Sequence, residues 1–251
     1  MHGGDMGPIF AVGDIHGQSD ELERVLSLVE ADRDSDAPVV FLGDYVDRGP
    51  DSSRVLERLI AGQEEGRPWI ALAGNHDISL TEFLDPHGMS DDGASGWLGA
   101  NTGGAETLSS YGIDTSNRPV AEIRADARET IPARHQAWLN ALPRIHETAA
   151  HIFVHAGIRP SIPLDAQDGW ELVTIREGFL DDDSDHGRLV VHGHTAAEGP
   201  YHAGNRVNLD GGAGLGAPLC AAVLTGRDVS LLTDRGRVPF LPGSTPVLPS
   251  H

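Results

Sequence analysis

The chain has 251 residues, with 18 Arg, no Lys and 38 Asp plus Glu, for a formal charge of −20 at pH 7. That surface repels nucleic acid and anionic membranes, and no cluster of Arg relieves it, so neither partner is expected. No apolar run nears the roughly 18 residues that span a bilayer, Met1 to Pro8 has no leader pattern, and the lone Cys220, a buried thiol in the apolar run 219–224, excludes an intrachain disulfide framework. A cytoplasmic protein is expected.

In chain order, the first half alternates strand and helix. Residues 8–12 read as a strand, and Leu22, Val25, Leu26 and Val29 recur at helical spacing behind Ser19 or Asp20 as N-cap. Residues 39–42 read as a second strand, and Val55, Leu56, Leu59 and Ile60 mark a second helix after Asp51-Ser52-Ser53. Residues 69–73 read as a third strand. This βαβαβ start predicts parallel strands with ligands gathered at their carboxyl ends. Residues 85–130, Gly-rich and poor in long apolar runs, read as loops and short helices forming a lid or substrate wall. A helix at 133–142 precedes short apolar runs at 152–154, 189–191, 207–209, 219–224 and 229–232, whose adjacency suggests antiparallel pairing. The tail from Pro239, with Pro242, Pro246 and Pro249, reads as an extended surface segment. The expectation is one domain over residues 1–251 with its core at about 8–235.

The chemistry lies where apolar strands give way to Gly turns: Gly13-Asp14-Ile15-His16-Gly17, Gly43-Asp44-Tyr45-Val46-Asp47-Arg48-Gly49 and Gly74-Asn75-His76-Asp77. His155-Ala156-Gly157 and His192-Gly193-His194-Thr195 follow later. Two neighbouring divalent ions need one bridging carboxylate with nitrogen and oxygen donors on either side. By position and residue type, Asp14 and His16 hold the first ion, Asp44 bridges, and Asn75, His155 and His194 hold the second. His76, next to a ligand, is the candidate acid for the leaving oxygen, and Asp47 is placed to hold its imidazolium. Arg48 and Arg176 are the candidate phosphate clamps, with Asn75 beside them. The Asp-rich stretch 181–185 lacks the Gly and distant Glu of a calcium loop and reads as a solvated turn.

The first three motifs resemble the signature of the phosphoprotein phosphatase family of metal-dependent serine/threonine phosphatases. Trp97, residues 103–106 and Ser110-Tyr111-Gly112 make the chain more similar to its bacterial branch. The resemblance covers residues 8 to about 215. It implies an α/β fold, the four-layer α/β/β/α sandwich with mixed sheets of the calcineurin-like metallophosphoesterases, two divalent ions (manganese, or iron and zinc), and His194 rather than His192 as the late ligand. It implies a phosphomonoesterase acting on phosphoserine, phosphothreonine and also phosphotyrosine in proteins, by direct attack of a metal-bridging hydroxide. Bacterial relatives with the same motifs also hydrolyse symmetrical dinucleoside tetraphosphates. That alternative needs a pocket for two adenosines, walled by residues 85–118. A non-catalytic phosphate-binding module is the alternative of another class. The tyrosine that eukaryotic members carry on a late loop has no counterpart after Asn208-Leu209-Asp210-Gly211-Gly212. Trp97 and Tyr111 could stack on a substrate ring, with plain packing the preferred role.

Overall fold

A computed structural model describes residues 7–244. Residues 1–6, with His2, and 245–251, with Pro246, Pro249 and His251, lie outside the described residues. The strands β1 (Ile9–Val12), β2 (Val39–Phe41) and β3 (Trp69–Ala71) are parallel neighbours, as the βαβαβ reading requires. Helices α1 (Ser19–Glu30) and α2 (Ser52–Glu64) cross between them, and every apolar residue expected on their inner faces is buried. α1 starts at Ser19 itself. Gln18 is its cap residue, and the Ser19 hydroxyl instead donates to Asp51 at 3.0 Å, tying α1 to the start of α2.

Five further helices follow: α3 (Asn75–Leu84), α4 (Asp91–Trp97), α5 (Gly104–Ser110), α6 (Val120–Thr130) and α7 (Ala133–Ala141). A second sheet holds β4 (Ile145–Glu147), β5 (His151–Val154), β6 (Leu189–His192), β7 (Tyr201–His202) and β8 (Arg206–Asn208), in the order β4-β5-β6-β8-β7. The last strands, β9 (Ala221–Thr225), β10 (Asp228–Thr233) and β11 (Gly236–Pro239), return to extend the first sheet as β11-β10-β9-β1-β2-β3.

Side-chain alternation along β1 explains the layering. Phe10 and Val12 face the helices, packing with Val25, Leu56 and Phe83, while Ile9 and Ala11 face the second sheet and meet Phe153, Val191 and Val207. On the far side of the second sheet, Ile152, Val154 and Val190 are covered by Leu172 of the short α8 (Glu171–Thr174) together with Ile175 and Phe179. Helices, sheet, sheet and helix form the four layers of a mixed α/β sandwich. Among the described residues, no helix is long and apolar enough to cross a membrane.

One expectation fails in part. Antiparallel pairing holds for β4–β5, β7–β8, β9–β10 and β10–β11, but β5–β6 and β6–β8 are parallel. Residues 155–188 form the crossover between β5 and β6, and their short α8 carries too little helical periodicity to announce it. In the described part of the tail, Pro239, Leu241, Pro242 and Gly243 are exposed, and Phe240 is the exception. Pro239 ends the edge strand β11, a position that tolerates a missing donor. Phe240 then turns inward, 2% exposed among the inter-sheet residues, with its N–H donating to Val229 O at 2.8 Å. The core therefore reaches past residue 235.

Phe240→Ala should lower the unfolding free energy by about 3 kcal/mol or more, read from urea midpoints at unchanged m-value. A loss below about 1 kcal/mol would show that the tail adds nothing to the core.

Candidate metal centre

All five motifs leave the carboxyl ends of parallel strands: residues 13–17 after β1, 43–49 after β2, Asn75 opening α3 after β3, His155 after β5, and residues 193–195 after β6. The turns are tight enough that five of the seven described non-glycine residues with positive φ belong to them: His16, Asp44, Asp47, Arg48 and His194. Left-handed backbone is costly for residues with a Cβ, and it aims these side chains inward over the strand ends. Glycine is required where the walls close up. A Cβ on Gly193 would lie 1.9 Å from Asp14 Oδ1, and one on Gly74 would lie 2.1 Å from Asp44 Oδ1.

Asp44, 2% exposed, is common to two donor sets, His16–Asp44–His76 and Asp44–His155–His194, each with its candidate ligand atoms within 4.8 Å of one another. His16 Nε2 is 3.5 Å from Asp44 Oδ2, and His155 Nε2 is 3.4 Å from Asp44 Oδ1 and 3.1 Å from Asn75 Oδ1. Both rings are oriented from behind, with His16 Nδ1 2.9 Å from Val46 O and His155 Nδ1 2.8 Å from Leu42 O. A backbone carbonyl there holds the Nδ1 proton and turns Nε2 toward the centre, an arrangement common to metal-binding imidazoles. His194 Nε2 is buried with no hydrogen-bond partner among the described residues.

Asp14 accepts from the His194 N–H, at 3.0 Å to Oδ2. Burial and the neighbouring charge of Asp210 push the Asp14 carboxyl well above the usual range. Burial would also raise Asp44, yet His155, His76 and His16 hold it well below. Burial lowers the His155 imidazolium, but Asp44 and Asp14 reverse this and push it up to about 10. Buried carboxylates drawing protons onto the ring beside them, together with an orphaned ring nitrogen, make an environment that fits a divalent cation.

His76 stands beside this centre with Nδ1 2.7 Å from Asp47 Oδ2. Burial disfavours its charged form, but Asp44 and Asp47 outweigh it and the imidazolium is raised above its ordinary value. Asp47 is fully buried and saturated. Trp97 Nε1 donates to Oδ2 at 2.8 Å, Thr107 Oγ1 donates to Oδ1 at 2.7 Å, and the Asp47 N–H donates back to Thr107 Oγ1 at 2.8 Å. Arg48 reaches His16 Nε2 at 3.0 Å and His76 Nε2 at 3.2 Å. Arg176 donates to His194 O at 3.3 Å, and the two guanidinia share a cavity of about 510 Å³ with Asn101, Glu106, Gly214 and Leu215.

Every residue expected at the site thus lies in one region. His192 faces away, with its ring edge on Phe179 at a centroid distance of 5.1 Å. Sequence reasoning overlooked Asp77, whose carboxylate accepts the N–H groups of Asp44, Tyr45 and Gly74 at 2.8 to 2.9 Å and so clamps the second motif onto the third. It also overlooked Thr107 and Asp210. The only signals were an acid at the third position of α3, an acid between the asparagine and the glycines at 208–212, and a hydroxyl after Glu106. Trp97 is more than packing, since its indole fixes Asp47. The Tyr111 hydroxyl instead meets His135 Nδ1 at 2.8 Å, and neither aromatic lines the cavity.

Residues 7–206 match the model of the calcineurin-like phosphoesterases. Among named relatives, the symmetrical bis(5′-nucleosyl)-tetraphosphatase of Bordetella parapertussis is 31% identical over 61% of this chain and 44% of its own length. That of Acidovorax sp. is 46% identical over 29% of this chain and 24% of its own. The matched segments thus cover less than half of these relatives. Their names match the tetraphosphate alternative and not the protein serine/threonine phosphatase expected first. Two crystal structures share the fold. One, of a protein inferred to be a diadenosine tetraphosphatase, has a TM-score of 0.63 at 24% identity over 96% of both chains. The other, a cold-active protein-tyrosine phosphatase of Shewanella, has a TM-score of 0.60 at 17% identity over 92% of this chain and 80% of its own.

Because Asp47 favours the imidazolium of His76, removing its charge should depress that pKa. In Asp47→Asn the His76 ring resonances should titrate at lower pH than in the wild type. Coincident titrations would mean that Asp47 does not set the charge of His76.

Proposed function

The chain belongs to the calcineurin-like phosphoesterase family, and on that premise we propose that it is a metal-dependent hydrolase cleaving symmetrical dinucleoside tetraphosphates into two nucleoside diphosphates. The observation that carries this reading is the cavity of about 510 Å³ beside the centre, where Arg48 and Arg176 stand together next to His194. Two guanidinia at one edge suit a chain of phosphates, which offers anionic oxygens over several ångströms. A second cavity of about 460 Å³ opens between Ala105 and Ser116, inside the stretch expected to wall a nucleotide pocket. The names of the relatives support the same substrate class.

In this proposal Asp14, His16, Asp44, Asn75, His155 and His194 hold two divalent ions. A donor set of carboxylate, amide and imidazole with no thiolate suits manganese first, then iron or zinc. Ions bound there supply Lewis acidity toward phosphoryl oxygens and acidify solvent. The side chains do the rest. Arg48 and Arg176 orient the phosphates and balance their charge. Buried His76, raised above its ordinary value, delivers its proton to the departing oxygen, and Asp47 keeps the ring in register and stabilises its charged form. Trp97 and Thr107 act on that step through Asp47 by fixing both of its oxygens.

The manganese-loaded protein should hydrolyse diadenosine tetraphosphate to ADP with a kcat/KM about tenfold or more above that for phosphoserine, phosphothreonine or phosphotyrosine peptides. His76→Asn should cut kcat by about 10² to 10⁴. A win for the peptides would overturn the substrate class, an unaltered rate in His76→Asn would overturn the acid assignment, and a wild type inert on all of them would leave a phosphate-binding module.

A further inference from the structure

Glu106 is not needed by the metal centre, and its surroundings give it another task. It sits on α5 directly before Thr107, whose hydroxyl is bonded to Asp47 in both directions, and Arg48 N–H donates to Gly103 O at 3.3 Å just before that helix. The backbone of Glu106 is therefore registered on the turn that carries Asp47 and Arg48. Its side chain lines the cavity of Arg48, Arg176 and His194, and also the second cavity walled by Ser109 and residues 112–116. Its Oε2 is shielded from solvent and has no hydrogen-bond partner among the described residues.

A carboxylate beside two phosphate-binding guanidinia works against phosphate, because it repels anions and only accepts hydrogen bonds. What it suits is a neutral group with donors, attached to a phosphate. The same lining carries Leu215, 75% exposed, which offers an apolar face. Guanidinia, an acceptor carboxylate and an apolar face correspond to the phosphate, the ribose diol and the base of a nucleotide.

We propose that Glu106 accepts hydrogen bonds from the 2′- and 3′-hydroxyls of the nucleoside next to the bound phosphates, and is thereby a specificity residue of the site. This rests on the tetraphosphatase reading and sharpens it. Carboxylates take ribose hydroxyls in the same way in dinucleotide-binding sheets of unrelated topology.

The test is calorimetric titration of the manganese-loaded wild type, Glu106→Gln and Glu106→Ala with ADP and with 2′,3′-dideoxy-ADP, with thermal melting as the check on folding. The wild type should bind ADP about tenfold or more tightly than the dideoxy analogue, and both variants should lose that preference while binding the analogue within about twofold of wild type. Equal affinities in the wild type, no binding of ADP, or a preference retained in both variants would overturn the proposal. The readout needs no turnover. A wild type that prefers ADP yet leaves diadenosine tetraphosphate intact would defeat the activity reading alone. One that hydrolyses it without preferring ADP would defeat the role of Glu106 alone.

Discussion

The site depends on keeping the carboxylate of Asp44 ionised where burial alone would protonate it. Desolvation of a charge in a site 2% exposed is expensive unless partners surround it. Here those partners are the imidazoles of His16, His76 and His155, joined by the backbone N–H of His76 donating to Oδ1 at 3.0 Å. The same group belongs to both donor sets, so its position fixes their spacing. Behind it, Asp77 holds the backbone of Asp44 and Gly74, and the absence of a side chain on Gly74 leaves room for the carboxylate.

The sandwich is what brings these partners together. The first sheet delivers Asp14, His16, Asp44 and Asn75 from the ends of β1, β2 and β3, and the second delivers His155 and His194 from β5 and β6. His155 Nδ1 lies 2.8 Å from Leu42 O, a direct tie from one sheet to the turn of the other. The left-handed residues in these turns are strain held in place by the packing around them. A third layer of control comes from α4 and α5, where Trp97 and Thr107 grip Asp47 and so set the position of His76.

Much of this was legible in the sequence, for a physical reason. A ligand residue on a Gly turn after an apolar strand declares both its chemistry and its place, and all of the expected site residues come together. The supporting residues were hidden because their partners lie far along the chain. Thr107 is 60 residues from Asp47 and Trp97 is 50, so nothing local marks either as polar support. Asp77 stood inside a motif, but its work is on backbone amides 32 and 33 residues earlier. The parallel pairing of β5 with β6 was missed because its crossover holds only a one-turn helix, and Phe240 was missed because the prolines around it read as a surface tail. Substrate choice is not written in these motifs, since protein and nucleotide phosphatases share them and differ in the walls around them; it is the relatives' names that favour the nucleotide alternative over the protein phosphatase expected first.

In the proposed centre, one carboxylate, that of Asp44, serves two ions. Equilibrium titration with Mn²⁺, counted by atomic spectroscopy after gel filtration, tests it on the wild type and on Asp44→Asn. Two ions per wild-type chain are expected, with loss of both in Asp44→Asn at concentrations that saturate the wild type. A single ion in the wild type, or two retained in Asp44→Asn, would contradict it.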